Sequence, residues 1–75
     1  MENKNILVAG CSTKKGIKIA KFLKDRGFTV YGLDRFLDSH LKVFRFFKID
    51  MRHVESMGLM LSIANPKFII FCPDE

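Results

Sequence analysis

The sequence predicts an α/β fold: a four-stranded parallel sheet with a helix on each face. Two patterns predict it. Short runs rich in apolar, aromatic and β-branched residues alternate with stretches whose apolar residues recur at helical spacing. The last run, Lys67-Phe-Ile-Ile-Phe-Cys72, is a continuous apolar stretch of the kind expected of a strand inside a layered sheet. Strands alternating with helices imply parallel pairing through right-handed crossovers.

The elements follow in order. Ile6 to Ala9 is a short apolar strand that runs into a small-residue turn. Lys14 to Arg26 reads as a helix, with Gly16, Ile19, Ala20 and Leu23 on one face and Ile17 and Phe22 widening it. Gly27 stops that helix because glycine accepts a left-handed conformation. Phe28 to Asp34 is a second strand, and Val43 to Ile49 a third. The polar stretch between them, 35–42, is short for a parallel crossover and is expected to run as an extended loop.

Asp50 is expected to cap a second helix, Met51 to Ala64. Val54, Met57, Gly58 and Leu61 form its buried stripe, broadened by Leu59, Met60 and Ile63. Asn65-Pro66 ends it, since proline disfavours the helical conformation in the residue before it. Lys67 to Cys72 is the fourth strand. The doubly wound order is 3-2-1-4, with the two helices on opposite faces.

Composition bounds what such a chain can do. Its 75 residues make one small domain, 1–75, of a size that buries only about 60% of its unfolded surface. An apolar content of 48% and eight phenylalanines exclude a disordered chain. The phenylalanines alternate within strands and are read as core, not as a base-stacking platform. Only four apolar residues separate the polar amino terminus from Gly10, which is no signal peptide, and no run reaches the length of a membrane span. A soluble cytoplasmic protein without membrane partners is the expectation. Cys11 and Cys72 are read as buried thiols of a reducing compartment; a redox pair between neighbouring strand ends is the alternative. His40 and His53 have no ligand-type residue at metal spacing.

The net charge of +5 is unevenly placed. Lys14, Lys15, Lys18, Lys21, Lys24 and Arg26 face only Asp25 within the first helix, so that element holds the whole excess. The first reading is a solvated outer face; a polyanion-binding face, nucleic acid included, is the other.

The segment Asn5 to Gly16, N-I-L-V-A-G-C-S-T-K-K-G, is where a ligand is expected. A strand that empties into a glycine-bounded turn aims the first free amides of the next helix at one point, and that point favours an anion. Gly10, Ser12, Thr13, Lys14, Lys15 and Gly16 therefore form the candidate phosphate site. The segment lacks the G-K-[ST] ending of a Walker loop. Asp34, closing the second strand, can accept hydrogen bonds from both ribose hydroxyls, and Arg35 beside it can shift the preference towards a 2′-phosphate.

Four stretches, in order, resemble the amino-terminal half of extended short-chain dehydrogenase/reductases, the nucleotide-sugar epimerase, dehydratase and dehydrorhamnose-reductase group. N-I-L-V-A-G-C-S-T-K-K-G stands beside that family's strand and T-G-x-x-G-x-x-G turn. F-T-V-Y-G-L-D ends in the ribose-binding acid, F-K-I-D-M-R matches the D-[IVLM]-[RT] stretch near the adenine, and N-P-K-F-I-I-F-C matches the P-D-x-V-I-H-x-A strand. The resemblance implies a three-layer half-Rossmann fold binding NAD or NADP: pyrophosphate at Gly10 to Gly16, ribose at Asp34, adenine near Asp50 and Met51. It covers essentially the whole chain but less than a third of such an enzyme.

The departures matter too. Thr13 stands at the family's middle glycine, the residue that lets a pyrophosphate approach the backbone. The Ser and Tyr-x-x-x-Lys catalytic set is absent: Tyr31 lies mid-strand, with Lys24 and Lys67 at the wrong offsets. The reading is thus a truncated NAD(P)-binding module without its catalytic half. A non-catalytic interaction or regulatory module of the same fold is the alternative, with a basic-helix nucleic-acid binder a further one. Lys67 to Cys72, left as a sheet edge, is expected to pair with a second copy or a partner protein.

Overall fold

The computed structural model describes residues 3–50 and 52–72. Six elements follow one another: β1 (Asn5–Ala9), α1 (Lys14–Asp25), β2 (Thr29–Asp34), β3 (Arg45–Lys48), α2 (Val54–Ala64) and β4 (Phe68–Phe71). The strands form one sheet in the order β3-β2-β1-β4, and every neighbouring pair is parallel. Ile6 and Leu7 of β1 lie opposite Val30 and Tyr31 of β2 on one side and Phe68 and Ile69 of β4 on the other. The carboxyl ends of all four strands therefore share one edge of the sheet.

Alternation along β1 divides the core in two. Ile6 and Val8 point to the α1 face, where they pack with Cys11, Ala20, Val30 and Leu41. Leu7 and Ala9 point to the α2 face and pack with Tyr31, Leu33, Met60 and Ala64. The 35–44 connection contains no helix. Buried Leu41 and half-buried Val43 instead cover the α1 side of the sheet, the place a crossover helix would take.

The end of α1 follows the expected chemistry in detail. Gly27 has φ +89°, and the amides of Phe28 and Gly27 donate to the carbonyls of Leu23 and Lys24 at 3.1 and 3.0 Å. This paired 6→1 and 5→2 closure satisfies carbonyls that would otherwise lack partners. It also explains why β2 starts at Thr29: the Phe28 amide is committed to the helix.

Three expectations are corrected. Asp50 is not the cap of α2, which begins at Val54 with His53 in the capping position and no side-chain cap bond. Asp50 instead accepts from the Arg52 amide and holds the Arg52 guanidinium, so a cation two residues away has captured the carboxylate. The buried stripe of α2 is Met57, Met60, Leu61 and Ala64, while Val54, Gly58, Leu59 and Ile63 are exposed. The helix is apolar nearly all round, and periodicity cannot select one face of such a segment. Thirdly, none of the eight phenylalanines is fully buried, and Phe22, Phe36, Phe44, Phe68 and Phe71 are exposed. The interior is built of smaller residues because only two helices cover the sheet.

Candidate functional site

The β1–α1 turn sits at the carboxyl edge of the sheet, held from both sides. Gly10 has φ +77°, and its amide donates to the Leu33 carbonyl of β2 at 2.8 Å. On the other side the Cys72 amide donates to the Ala9 carbonyl at 2.8 Å. A β-carbon at Gly10 would stand 2.1 Å from the Cys72 carbonyl oxygen, and one at Gly16 would stand 2.4 Å from the Gly10 carbonyl oxygen. Both glycines are thus required by backbone packing before any ligand is considered.

Thr13, the residue in place of the middle glycine, caps α1. Its Oγ1 accepts from the Gly16 amide at 3.0 Å and donates to the Gly10 carbonyl at 2.9 Å. The Thr13 amide donates to the same carbonyl at 3.3 Å. Ser12 is 8% exposed; its amide donates to Asp34 Oδ2 at 3.0 Å. Its hydroxyl donates to the Phe36 carbonyl at 2.7 Å and accepts from the Asp38 amide at 3.2 Å. The turn is therefore pinned to the 35–44 connection through one small side chain.

Three amides that open the turn, those of Ser12, Thr13 and Gly16, are satisfied within the protein. The diphosphate cradle of the resembled family does not fit here as it stands, because those donors are spoken for and a threonine side chain lies where close approach needs none. The Lys14 amide has no protein acceptor among the described residues. Lys14 and Lys15 are exposed in the first turn of α1, which contains no acidic residue. Their charge makes the turn cationic even though its amides are engaged.

The nucleoside end of the site is better formed. Asp34 accepts at Oδ1 from the Arg35 amide at 2.7 Å and at Oδ2 from Ser12. Each oxygen keeps a lone pair for a further donor. Beside it, Arg35, Lys48, Ile49 and Asp50 line an open hollow of about 250 Å³. The Ile49 amide donates to the Asp34 carbonyl at 3.0 Å, which fixes the end of β3 against the end of β2. Arg52 holds the Asp50 carboxyl well below the ordinary carboxylate range through its side-chain and backbone hydrogen bonds. Met51 lies outside the described residues. Lys48 and Ile49 were not singled out from sequence, although they immediately precede Asp50 and share its strand end.

Cys11 lies under the turn, fully buried, with a thiol pushed up to about 11 by burial and secondarily by the Asp34 charge. Burial raises the Cys72 thiol as well, against an opposing influence from Lys15. Both thiols are buried and held protonated, an environment that lowers their reactivity. Among the described residues no cluster of metal-ligating side chains occurs, and no helix is long and apolar enough to cross a membrane.

Sheet order, paired glycines and right-handed crossovers together define a Rossmann-like α/β half-domain. Solved structures of that class match it closely. UDP-glucose 4-epimerase from Thermotoga maritima, crystallised with UDP-glucose, superposes with a TM-score of 0.83 at 24% identity over 95% of this chain and 24% of its own. A Burkholderia cenocepacia J2315 protein named as an epimerase gives a TM-score of 0.80 at 19% identity over 96% of this chain and 25% of its own. The likeness is one of fold, and the chain spans about a quarter of the length of these structures. No family model and no curated protein sequence matches the chain.

Proposed function

We propose that this chain binds an adenine nucleotide, NAD or NADP among them, at the carboxyl edge of its sheet and performs no chemistry on it. Asp34 takes the ribose, and the hollow of Arg35, Lys48, Ile49 and Asp50 takes the base. Lys14 and Lys15 attract the phosphates with side-chain charge in place of the engaged backbone amides. The observation that carries the reading is the juxtaposition of Asp34, with spare acceptor capacity on both oxygens, and an open hollow immediately beside it. The epimerase fold supports the same edge as the ligand edge, since open α/β sheets bind ligands outside the carboxyl ends of their strands.

An amide-shift NMR titration with NAD, NADP and ADP tests it. The expected result is saturable shifts at Ser12, Asp34, Arg35 and Ile49 with all three ligands. Replacing Lys14 and Lys15 together by alanine weakens binding by far more than replacing Lys21 and Lys24. Equal effects of the two pairs, or shifts scattered over α1 alone, contradict the reading.

A second reading, an interaction module acting through β4, is favoured by a different observation. Phe68, Ile69 and Phe71 are exposed on a strand whose one neighbour among the described residues is β1.

A further inference from the structure

The hollow beside Asp34 carries charge that a nucleobase does not explain. Its surface is mainly carbon, with half-buried Ile49 its one apolar residue, and that suits a flat base. Long basic side chains lay their stems along such a surface and keep their charged heads in water. Arg35 and Lys48 do this here from the carboxyl ends of two neighbouring strands, since register sets Lys48 opposite Asp34 and Arg35 follows Asp34 in the chain. The remaining lining residue, Asp50, is matched within the protein. The Arg52 guanidinium holds it, with Nη2 2.6 Å from Oδ2 and Nε 3.1 Å from each oxygen. Among the described residues neither Arg35 nor Lys48 stands in an ion pair. The hollow is therefore cationic, and the excess comes from two different elements.

We infer, resting on the nucleotide reading of this edge, that its ligand carries a phosphate monoester on the ribose, seated between Arg35 and Lys48, with Lys48 a specificity-determining residue. The 2′ and 3′ oxygens are vicinal, so a ribose held by Asp34 through one of them presents the other to the same hollow. Asp34 itself opposes a second anion, and the numbers decide against it. Two cations face one carboxylate, and both of its oxygens already accept from backbone amides, that of Arg35 at 2.7 Å and that of Ser12 at 3.0 Å. A guanidinium meets phosphate oxygens in pairs, and an ammonium adds a compact point charge. Both cations are exposed, so the gain is modest, about tenfold, the scale of two solvated charge pairs. A 2′-phosphate, as in NADP, and a 3′-phosphate offer the same chemistry.

The test is isothermal titration calorimetry of the full chain, at one ionic strength, with AMP, adenosine 2′,5′-bisphosphate and adenosine 3′,5′-bisphosphate. Each bisphosphate is AMP with a phosphate added to the ribose, and the two are isomers of equal charge. The favoured isomer is expected to bind about tenfold more tightly than AMP, and its identity assigns the ester. Combining Arg35→Gln with Lys48→Gln removes the preference, and Lys48→Arg keeps it. Lys21→Gln, which deletes the same charge from the exposed side of α1, leaves the preference unchanged. Circular dichroism verifies the fold of each variant. The inference is overturned if AMP binds as tightly as both bisphosphates, or if Lys21→Gln lowers the preference as far as Lys48→Gln, a response to net charge alone. Either result leaves the nucleotide reading standing, whereas binding of none of the three ligands ends both.

Discussion

At the scale of single residues, the turn keeps the glycines that the fold needs and lacks the one that a diphosphate needs. Gly10 and Gly16 have backbone atoms where a β-carbon would sit, so their six-residue separation follows from packing alone. Thr13 completes the turn by doing within the protein what a phosphate would otherwise do, satisfying the Gly16 amide. A consequence can be measured. Thr13→Ala removes the cap and should lower stability by about 1 kcal/mol in urea denaturation. Thr13→Gly should cost only a few tenths, because glycine is itself tolerated at a cap, while freeing the Gly16 amide for an external anion. Nucleotide affinity in the NMR titration should therefore rise with Thr13→Gly and not with Thr13→Ala. Both variants free the amide, so the difference between them reports the β-carbon; if the glycine variant binds no better, close approach of the backbone was not what the site lacked. The position of Thr13 at the middle glycine was legible in the sequence. Its cap was legible as well, since a threonine directly before the first helical residue is a capping signature; its bond back to the Gly10 carbonyl was not.

At the scale of elements, two helical glycines make opposite predictions from the same substitution. Gly16→Ala puts a methyl 2.4 Å from the Gly10 carbonyl oxygen and 2.7 Å from Cys11 Cα. Alanine's better helix propensity, about 1 kcal/mol, is set against a clash with backbone that cannot swing aside. Overpacking of this kind costs about 1–3 kcal/mol, so the clash wins and the variant loses stability. At Gly58, mid-way along α2, an added β-carbon meets nothing within 4 Å. There propensity acts unopposed, and Gly58→Ala should gain about 0.5–1 kcal/mol. Parallel thermal melts decide it; a stabilised Gly16→Ala would mean that α1 can lift off the turn. Sequence periodicity located α1 well because its charged and apolar residues segregate. It located α2 but misjudged its buried face, since Val54, Leu59 and Ile63 are as apolar as Met57, Met60 and Leu61, and only the sheet beneath distinguishes them. The strand order was legible because β-helix alternation and right-handed crossovers leave few topologies. The Ser12 to Asp34 bond was not, because it joins residues 22 apart in the chain through two loops that no pattern registers together.

At the scale of the whole molecule, the sheet closes unevenly. β3 at one edge is flanked by charged Arg45 and Lys48, a composition that discourages further pairing, whereas β4 at the other edge is Phe-Ile-Ile-Phe. Register with β1 places Phe68 and Ile70 on the α1 face and Ile69 and Phe71 on the α2 face, so the edge is apolar on both sides. The Cys72 amide bonds inward to Ala9; by alternation the amides of Ile69 and Phe71 face outward. We propose that a second copy pairs there, antiparallel about a two-fold axis perpendicular to the sheet. Residues opposite each other must share a face, so the axis passes through a residue and not between two, and Ile69 or Ile70, central in the strand, gives the longest overlap. Light scattering at high concentration should then report a dimer, and amide exchange should be slowed at Ile69 and Phe71, whose protection β1 does not supply. Ile69→Lys places a charge in the middle of the pairing surface at a site already 44% exposed, where the monomer tolerates it. It should return the protein to a monomer with an unchanged circular dichroism spectrum and fast exchange at those two amides. A protein that is monomeric before the substitution, or a dimer that survives it, would show that this edge is covered by something other than a copy of itself.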